Sequence, residues 1–179
     1  MRIALILVSL LFAMPAFAQD APEADASAVA PGCGTDNLKF AVKSNSSTHP
    51  VSKPEPGKAL VYFIQDDKYF FSRPRPTVKW GVDGNWVGAT QANAYFVFSV
   101  DPGEHHLCSE WQTSVGPFVG RQASATHFIA KPDHVYYFVA QDLFQKDTQP
   151  AAVRLTPFES DEALLLMSKF SFSTSQPKK

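Results

Sequence analysis

The residues of this 179-residue chain that could carry chemistry are few, and they are best judged by their spacing. His105 and His106 are adjacent, with Glu104 before them and Cys108 just beyond, and His127 and His134 follow later. A zinc centre needs about four such ligands converging at bonding distance. Successive residues of a strand point to opposite faces, so only one of two adjacent histidines can join any one site. Neither His-x-His nor His-Glu-x-x-His spacing occurs. The residues therefore predict no metal site, only a strand launched by Asp101-Pro102-Gly103 with one histidine half buried. For nucleophilic catalysis there is no Gly-x-Ser-x-Gly elbow. Cys108 is the only thiol near a histidine, and oxidation would remove it as a nucleophile. The acids Asp66-Asp67, Glu110, Asp133, Glu159 and Asp161-Glu162 show no pairing pattern. Asp66-Asp67 reads as a solvated turn and Asp161-Glu162 as a helix start. With no phosphate loop and no dinucleotide fingerprint, no catalytic residue and no cofactor are expected.

The aromatic residues Tyr69-Phe70-Phe71, Trp80, Trp86, Tyr95, Trp111 and Phe118 form a rich set, most of which a β-sandwich core would consume. The segment from Tyr69 to Pro76 differs, because it joins three aromatics to Arg73-Pro74-Arg75-Pro76 and falls between expected strands. Aromatics and arginines in a loop suit recognition of an envelope protein or a glycan. The expected binding residues are thus Tyr69, Phe70, Phe71, Arg73 and Arg75. The competing reading is a hydrophobic lid over one end of the sandwich.

The elements that would position these residues begin after a leader. Met1-Arg2 is a short positive start, Ile3 to Phe12 is almost wholly apolar, and Ala16-Phe17-Ala18 places small residues at a cleavage site. This order predicts a secretory signal peptide over residues 1–18, too short in its apolar run to span a bilayer. The expected mature chain is exported, to the periplasm or outer envelope surface of a bacterium, with no transmembrane segment of its own. Cys33 and Cys108 would then meet an oxidising compartment, where an even pair reads as a disulfide. A lipid on Cys33 and a metal site using both thiols compete with it, but the apolar run does not end in a lipidation pattern. Basic and acidic residues number 16 and 17, so nothing in the charge balance suggests a nucleic-acid partner.

Residues 19–36 read as a disordered lead-in rich in Ala and Pro. A single domain then runs over 37–170. Short strands are predicted near Asn37–Val42, Ala59–Ile64, Val78–Val82, Trp86–Ala89, Tyr95–Val100, Glu104–Trp111, Ala123–Ala130, Val135–Leu143 and Val153–Thr156. Asp83-Gly84 between Val82 and Trp86 is a strong hairpin signal. One helix is expected at about 160–169, capped by Ser160 and docked through Leu164, Leu165 and Met167. Residues 171–179 read as a polar tail. The fold class is all-β and mainly antiparallel, a single β-sandwich or open barrel with one short C-terminal helix.

An ordered set of pieces runs through this domain: Pro56-Gly57-Lys58-Ala59-Leu60-Val61-Tyr62-Phe63, Val82-Asp83-Gly84-Asn85-Trp86-Val87-Gly88, Tyr95-Phe96 and Asp101-Pro102-Gly103-Glu104-His105-His106-Leu107. Tyr136-Tyr137-Phe138 and the Glu162–Ser168 segment fit the same pattern. The set resembles the bacterial exported family known as domain of unknown function 2846. Its Val-Asp-Gly and Pro-Gly-x-His elements are similar to small envelope β-sandwich modules named for a Pro-Glu-Gly-Ala motif. The resemblance implies an envelope β-sandwich and no activity. The functional expectation is a non-catalytic binding or structural module; the alternative is a periplasmic hydrolase of glycan or peptide with no recognisable motif.

Overall fold

The computed structural model describes residues 32–115, 119–145 and 149–179. The expected signal peptide, most of the lead-in and Phe118 lie outside them. In chain order the elements are β1 (Phe40–Asn45), β2 (Ala59–Phe70), β3 (Thr77–Val82), β4 (Asn85–Gln91), β5 (Ala94–Val100), β6 (Gly103–Trp111), β7 (Ala123–Ala130), β8 (Val135–Gln145), β9 (Gln149–Pro157), α1 (Ser160–Met167) and β10 (Ser171–Pro177). They form a six-stranded sheet, β1-β10-β5-β2-β8-β9, and a four-stranded sheet, β4-β3-β6-β7. Pairing is antiparallel except between β2 and β8 and between β10 and β5. The all-β sandwich with one short C-terminal helix is the architecture expected from the sequence.

β2 reads as a continuous apolar run because it is covered on both faces. Ala59, Val61 and Phe63 enter the core between the sheets with Trp80, Phe96, Leu107 and Trp111. Leu60, Tyr62 and Ile64 face the other way, against Ala163, Met167 and Phe170. A strand buried on both sides loses the apolar–polar alternation of a half-exposed one. β2 also runs on to Phe70, well past the Ile64 end expected, and its register against β8 shifts between Asp66 and Tyr69. A bulge of this kind changes which side chains face inward. Hence Gln65 and Asp67 point into the sandwich, and so does Phe70. The solvated turn expected at Asp66-Asp67 is therefore a stretch of buried strand, with both aspartates nearly inaccessible.

The Asp83-Gly84 hairpin forms as expected between β3 and β4. Asp83 and Gly84 take φ of 50° and 78°, the left-handed pair that a two-residue turn of this hand requires. Cys33 and Cys108 are disulfide-bonded, with Cα atoms 5.0 Å apart. The last residues of the lead-in are packed onto the domain: Gly32 and Cys33 are buried. A Cβ on Gly81 would come within 2.3 Å of the Gly32 carbonyl, so this crossing needs glycine.

Two expectations near the C-terminus are corrected. Residues 171–179 are not a tail, because β10 lies between β1 and β5. Phe172 packs edge-on against Tyr95 at 5.5 Å, and Ser173 is buried. The run of small polar residues concealed this strand because they meet small partners, such as Ser44 opposite Ser173. In α1, the cap position is Glu159, with no side-chain cap bond, and Ser160 is the first helical residue. Ala163 and Met167, one turn apart, carry the docking face, while Leu164 and Leu165 are exposed.

Side chains stitch the sheets at their edges. Ala89 N donates to Ser175 Oγ at 2.9 Å, Leu155 N to Ser124 Oγ at 3.1 Å, and Phe40 N to Gln112 Oε1 at 2.6 Å. Deleting residues 171–179 should remove the link between β1 and β5 and abolish the cooperative denaturant transition. A truncated protein that still unfolds cooperatively at the original midpoint would contradict this topology.

Candidate functional site

The sequence-predicted site residues separate into an exposed group and an anchoring group. Tyr69 and Phe71 alternate with Phe70 at the end of β2, and Phe71 N still donates to Phe144 O at 2.8 Å. Tyr69 is 41% exposed and Phe71 63% exposed, whereas Phe70 is fully buried. Phe70 meets Trp111 edge-on at 5.6 Å and Phe144 at 5.7 Å. Phe70 is thus a core residue and is withdrawn from the binding set; the bulge in β2 turned it inward. Arg73 is exposed, and Lys68 places its ammonium 5.2 Å from the Tyr69 ring. Arg75 is half-buried and faces the chain itself. Its guanidinium donates to the Phe70 carbonyl and, at 2.7 Å, to the Asp67 carbonyl, and it lies over the Phe70 ring. Arg75 therefore holds the loop in shape, and the presenting surface is Lys68, Tyr69, Phe71 and Arg73.

The root of this loop rests on a buried polar network. Trp80 Nε1 can only donate, and it does so to Thr90 Oγ1 at 2.9 Å. Thr90 then donates to Gln65 Oε1 at 2.8 Å. That direction turns the Gln65 Nε2 amide toward three acceptors: Pro76 O at 3.0 Å, Asp67 Oδ1 at 2.9 Å and Asp142 Oδ2 at 2.7 Å. Trp111 Nε1 donates to Asp142 Oδ1 at 2.6 Å. Burial, then the neighbouring Asp67, push the Asp142 carboxyl well above the usual carboxylate range. Burial also raises Asp67, against the hydrogen bonds from Asp142 and Gln65 and the charge of Arg75. Of the two, Asp142 is the one pushed further toward its neutral form, by burial and then by the nearby Asp67. Two neighbouring carboxyls with raised values are an arrangement used in acid–base catalysis. Here Asp67 is 1% and Asp142 0% exposed, so the pair is closed to any substrate.

Asp83, Asp101 and His105 meet at a cleft of about 290 Å³ beside the β3–β4 turn, lined also by Ser99. His105 Nδ1 lies 2.6 Å from Asp83 Oδ2, and Nε2 lies 2.7 Å from the Asp101 carbonyl. Both partners are acceptors, so both contacts are hydrogen bonds only when the ring is an imidazolium. Burial would push His105 down; the bonds to Asp101 and Asp83, with the Asp83 charge, outweigh it and raise the ring. Burial likewise opposes ionisation of Asp83, and the bonds from His105 and the His106 amide outweigh that and lower it. A ring with both nitrogens occupied has no free lone pair for a base. This trio is a clasp between two turns. His106 points away from His105, as expected of neighbours in a strand, and faces His127 with ring centroids 6.1 Å apart. Among the described residues no three His, Cys, Asp or Glu side chains converge as a metal site.

On the outer face of the four-stranded sheet, residues 33–37 cover a cleft of about 500 Å³. Lys79 is buried there, 3.5 Å from Glu110 and 3.8 Å above the Trp86 ring. Arg121 closes the other side of Glu110 at 3.2 Å. Desolvation lowers the Lys79 ammonium, against the attraction of Glu110. Both cations are already matched by that carboxylate.

Comparison with family models, curated proteins and solved structures finds no match. The arrangement of side chains is therefore the basis for any functional reading. Among the described residues no helix is long and apolar enough to cross a membrane.

Two pH dependences follow from these sites. Asp142 has a raised folded value, so its contribution is full below the ordinary carboxylate range and lost as pH rises through the raised value. Asp142→Asn should flatten that fall in urea midpoints, whereas Asp142→Ala should cost about 2–3 kcal/mol, chiefly by orphaning the buried Trp111 Nε1, since Gln65 keeps Asp67 and Pro76 O as acceptors. The His105 contribution is full below the ordinary imidazole value and lost as pH rises through its raised one. The Asp83 contribution is present above the ordinary carboxylate value and lost as pH falls through its depressed one. His105→Ala should therefore cost about 1 kcal/mol at about pH 5 and close to nothing at about pH 9. An equal cost at both would show that the ring packs without being charged.

Proposed function

We propose that this protein is an exported, non-catalytic binding module of a bacterial envelope, and that it engages its partner through the tip formed by Lys68, Tyr69, Phe71 and Arg73. The observation that carries this reading is the 63% exposure of Phe71 on a loop whose root is locked. Arg75 ties the loop to the Asp67 and Phe70 carbonyls, and Gln65 ties it through Pro76 O. A large apolar side chain held in water on a rigid support is a cost to the free protein that a partner removes. Export is supported by the leader-like order of residues 1–18 and by the disulfide. The resemblance to the exported family of unknown function agrees with an envelope module and adds no activity.

A hydrolase reading would need an accessible general acid or base. Its strongest support is the Asp83–His105–Asp101 trio in an open cleft. That trio has His105 Nε2 engaged by a backbone carbonyl, and the carboxyl pair Asp67–Asp142 is sealed. Binding is the simpler use of this surface.

The test is a comparison of two substitutions in capture of envelope components by the immobilised protein. Phe71→Ser together with Arg73→Ser should abolish capture with stability changed by less than about 0.5 kcal/mol. Phe70→Ala should cost about 3–5 kcal/mol, because it empties the space beside Trp111 and Phe144. Capture that survives loss of Phe71 and Arg73 in a fully folded protein removes the proposal.

A further inference from the structure

From the chemistry of the same tip, and resting on its reading as a binding surface, we infer that its partner is an anionic lipid surface. Between Lys68 and Pro76 the chain has three cations and no acid. Arg75 is consumed internally by the Asp67 and Phe70 carbonyls. Lys68 and Arg73 are exposed, and among the described residues neither forms an ion pair. The tip therefore presents two cations beside two aromatics, one of them amphipathic. Tyrosine sits at the headgroup level of a bilayer, with its ring in the apolar region and its hydroxyl in water, and phenylalanine reaches deeper. Lys68 has a long apolar stem that lets its ammonium reach past the Tyr69 ring to phosphate oxygens.

The free charge beside exposed rings points to an anionic surface as the occupant. Tyr69 and Phe71 share the side of β2 opposite Phe70 and stand at the end of the strand. Together they make a point of two exposed rings flanked by the exposed cations Lys68 and Arg73. Such a point is well matched to insertion among headgroups, where binding grows with buried apolar area plus attraction to anionic lipid. Each basic residue near an anionic surface contributes about a factor of five, so the two together account for about thirty-fold in affinity.

The experiment uses the protein with its Cys33–Cys108 disulfide intact and sedimentation with large unilamellar vesicles. One set contains phosphatidylglycerol in phosphatidylcholine and the other phosphatidylcholine alone. The protein should sediment with the anionic vesicles, be released by added salt, and remain in solution with the neutral ones. Replacing Lys68 and Arg73 by Gln should weaken binding about thirty-fold, and Phe71→Ser should abolish it, each with an unchanged thermal midpoint. Absence of binding to anionic vesicles, or binding indifferent to Phe71, overturns the inference. If vesicle binding fails while capture of an envelope protein still depends on Phe71, the lipid surface is wrong and the binding module stands. If neither depends on Phe71, both readings fall together.

Discussion

Gln65 stands where the two sheets and the β2–β3 connection meet, and the amide contacts it makes are the constraint on which the rest of the arrangement depends. Its oxygen receives the Thr90 hydroxyl, whose direction is set by Trp80 from the four-stranded sheet. Its nitrogen reaches the Pro76 carbonyl, Asp67 and, on the neighbouring parallel strand, Asp142. An amide buried without partners costs about 1–3 kcal/mol, so a shift of either sheet or of the loop is penalised at this point. Hydrophobic burial supplies the larger share of stability, since emptying a single Phe site costs more than a typical hydrogen bond contributes. The network supplies position: it decides which residue of β2 points inward, and hence that Phe71 does not.

The same division of labour recurs at the other end of the molecule. The Asp83-Gly84 turn and the Asp101 carbonyl are joined through the His105 ring. Residues 33–37, over the four-stranded sheet, are held by the disulfide and by Trp86, whose Nε1 donates to the Asp36 carbonyl. In each case a polar or covalent tie fixes a connection whose backbone lies outside the ladders. Loops tied in this way carry little ordering cost when a partner binds.

Much of the fold was legible because its signals are local. The Asp83-Gly84 turn needs left-handed backbone, and the acids before Ala163 suit a helix start. The two cysteines needed only the inference of an oxidising compartment. What stayed hidden depends on parity and on distant neighbours. Asp66-Asp67 looks like a turn because two adjacent acids are rarely buried; Asp66 accepts from the Lys68 amide, and Asp67 is met by Gln65 and by Arg75, eight residues on. The bulge that turns Phe70 inward leaves no composition signal. β10 was read as a tail because its Ser and Thr side chains match both solvent and the narrow gap beside β1. Within the candidate site, aromatic and arginine content marked the right segment, and Lys68, one residue before it and neither aromatic nor arginine, was missed. Arg75 and Phe70 were assigned to the surface for want of any local sign that they anchor it.

The central claim is that the buried network holds the 71–76 connection in one shape and thereby presents Tyr69 and Phe71. Amide hydrogen exchange at Phe71, compared between the protein and its Gln65→Leu variant, tests it most directly. The Phe71 amide, bonded to the Phe144 carbonyl, should lose protection in the variant, while the central strands β5 and β6 keep theirs. A Phe71 amide that stays as protected in the variant as before, with the amide contacts of Gln65 removed, would contradict the account.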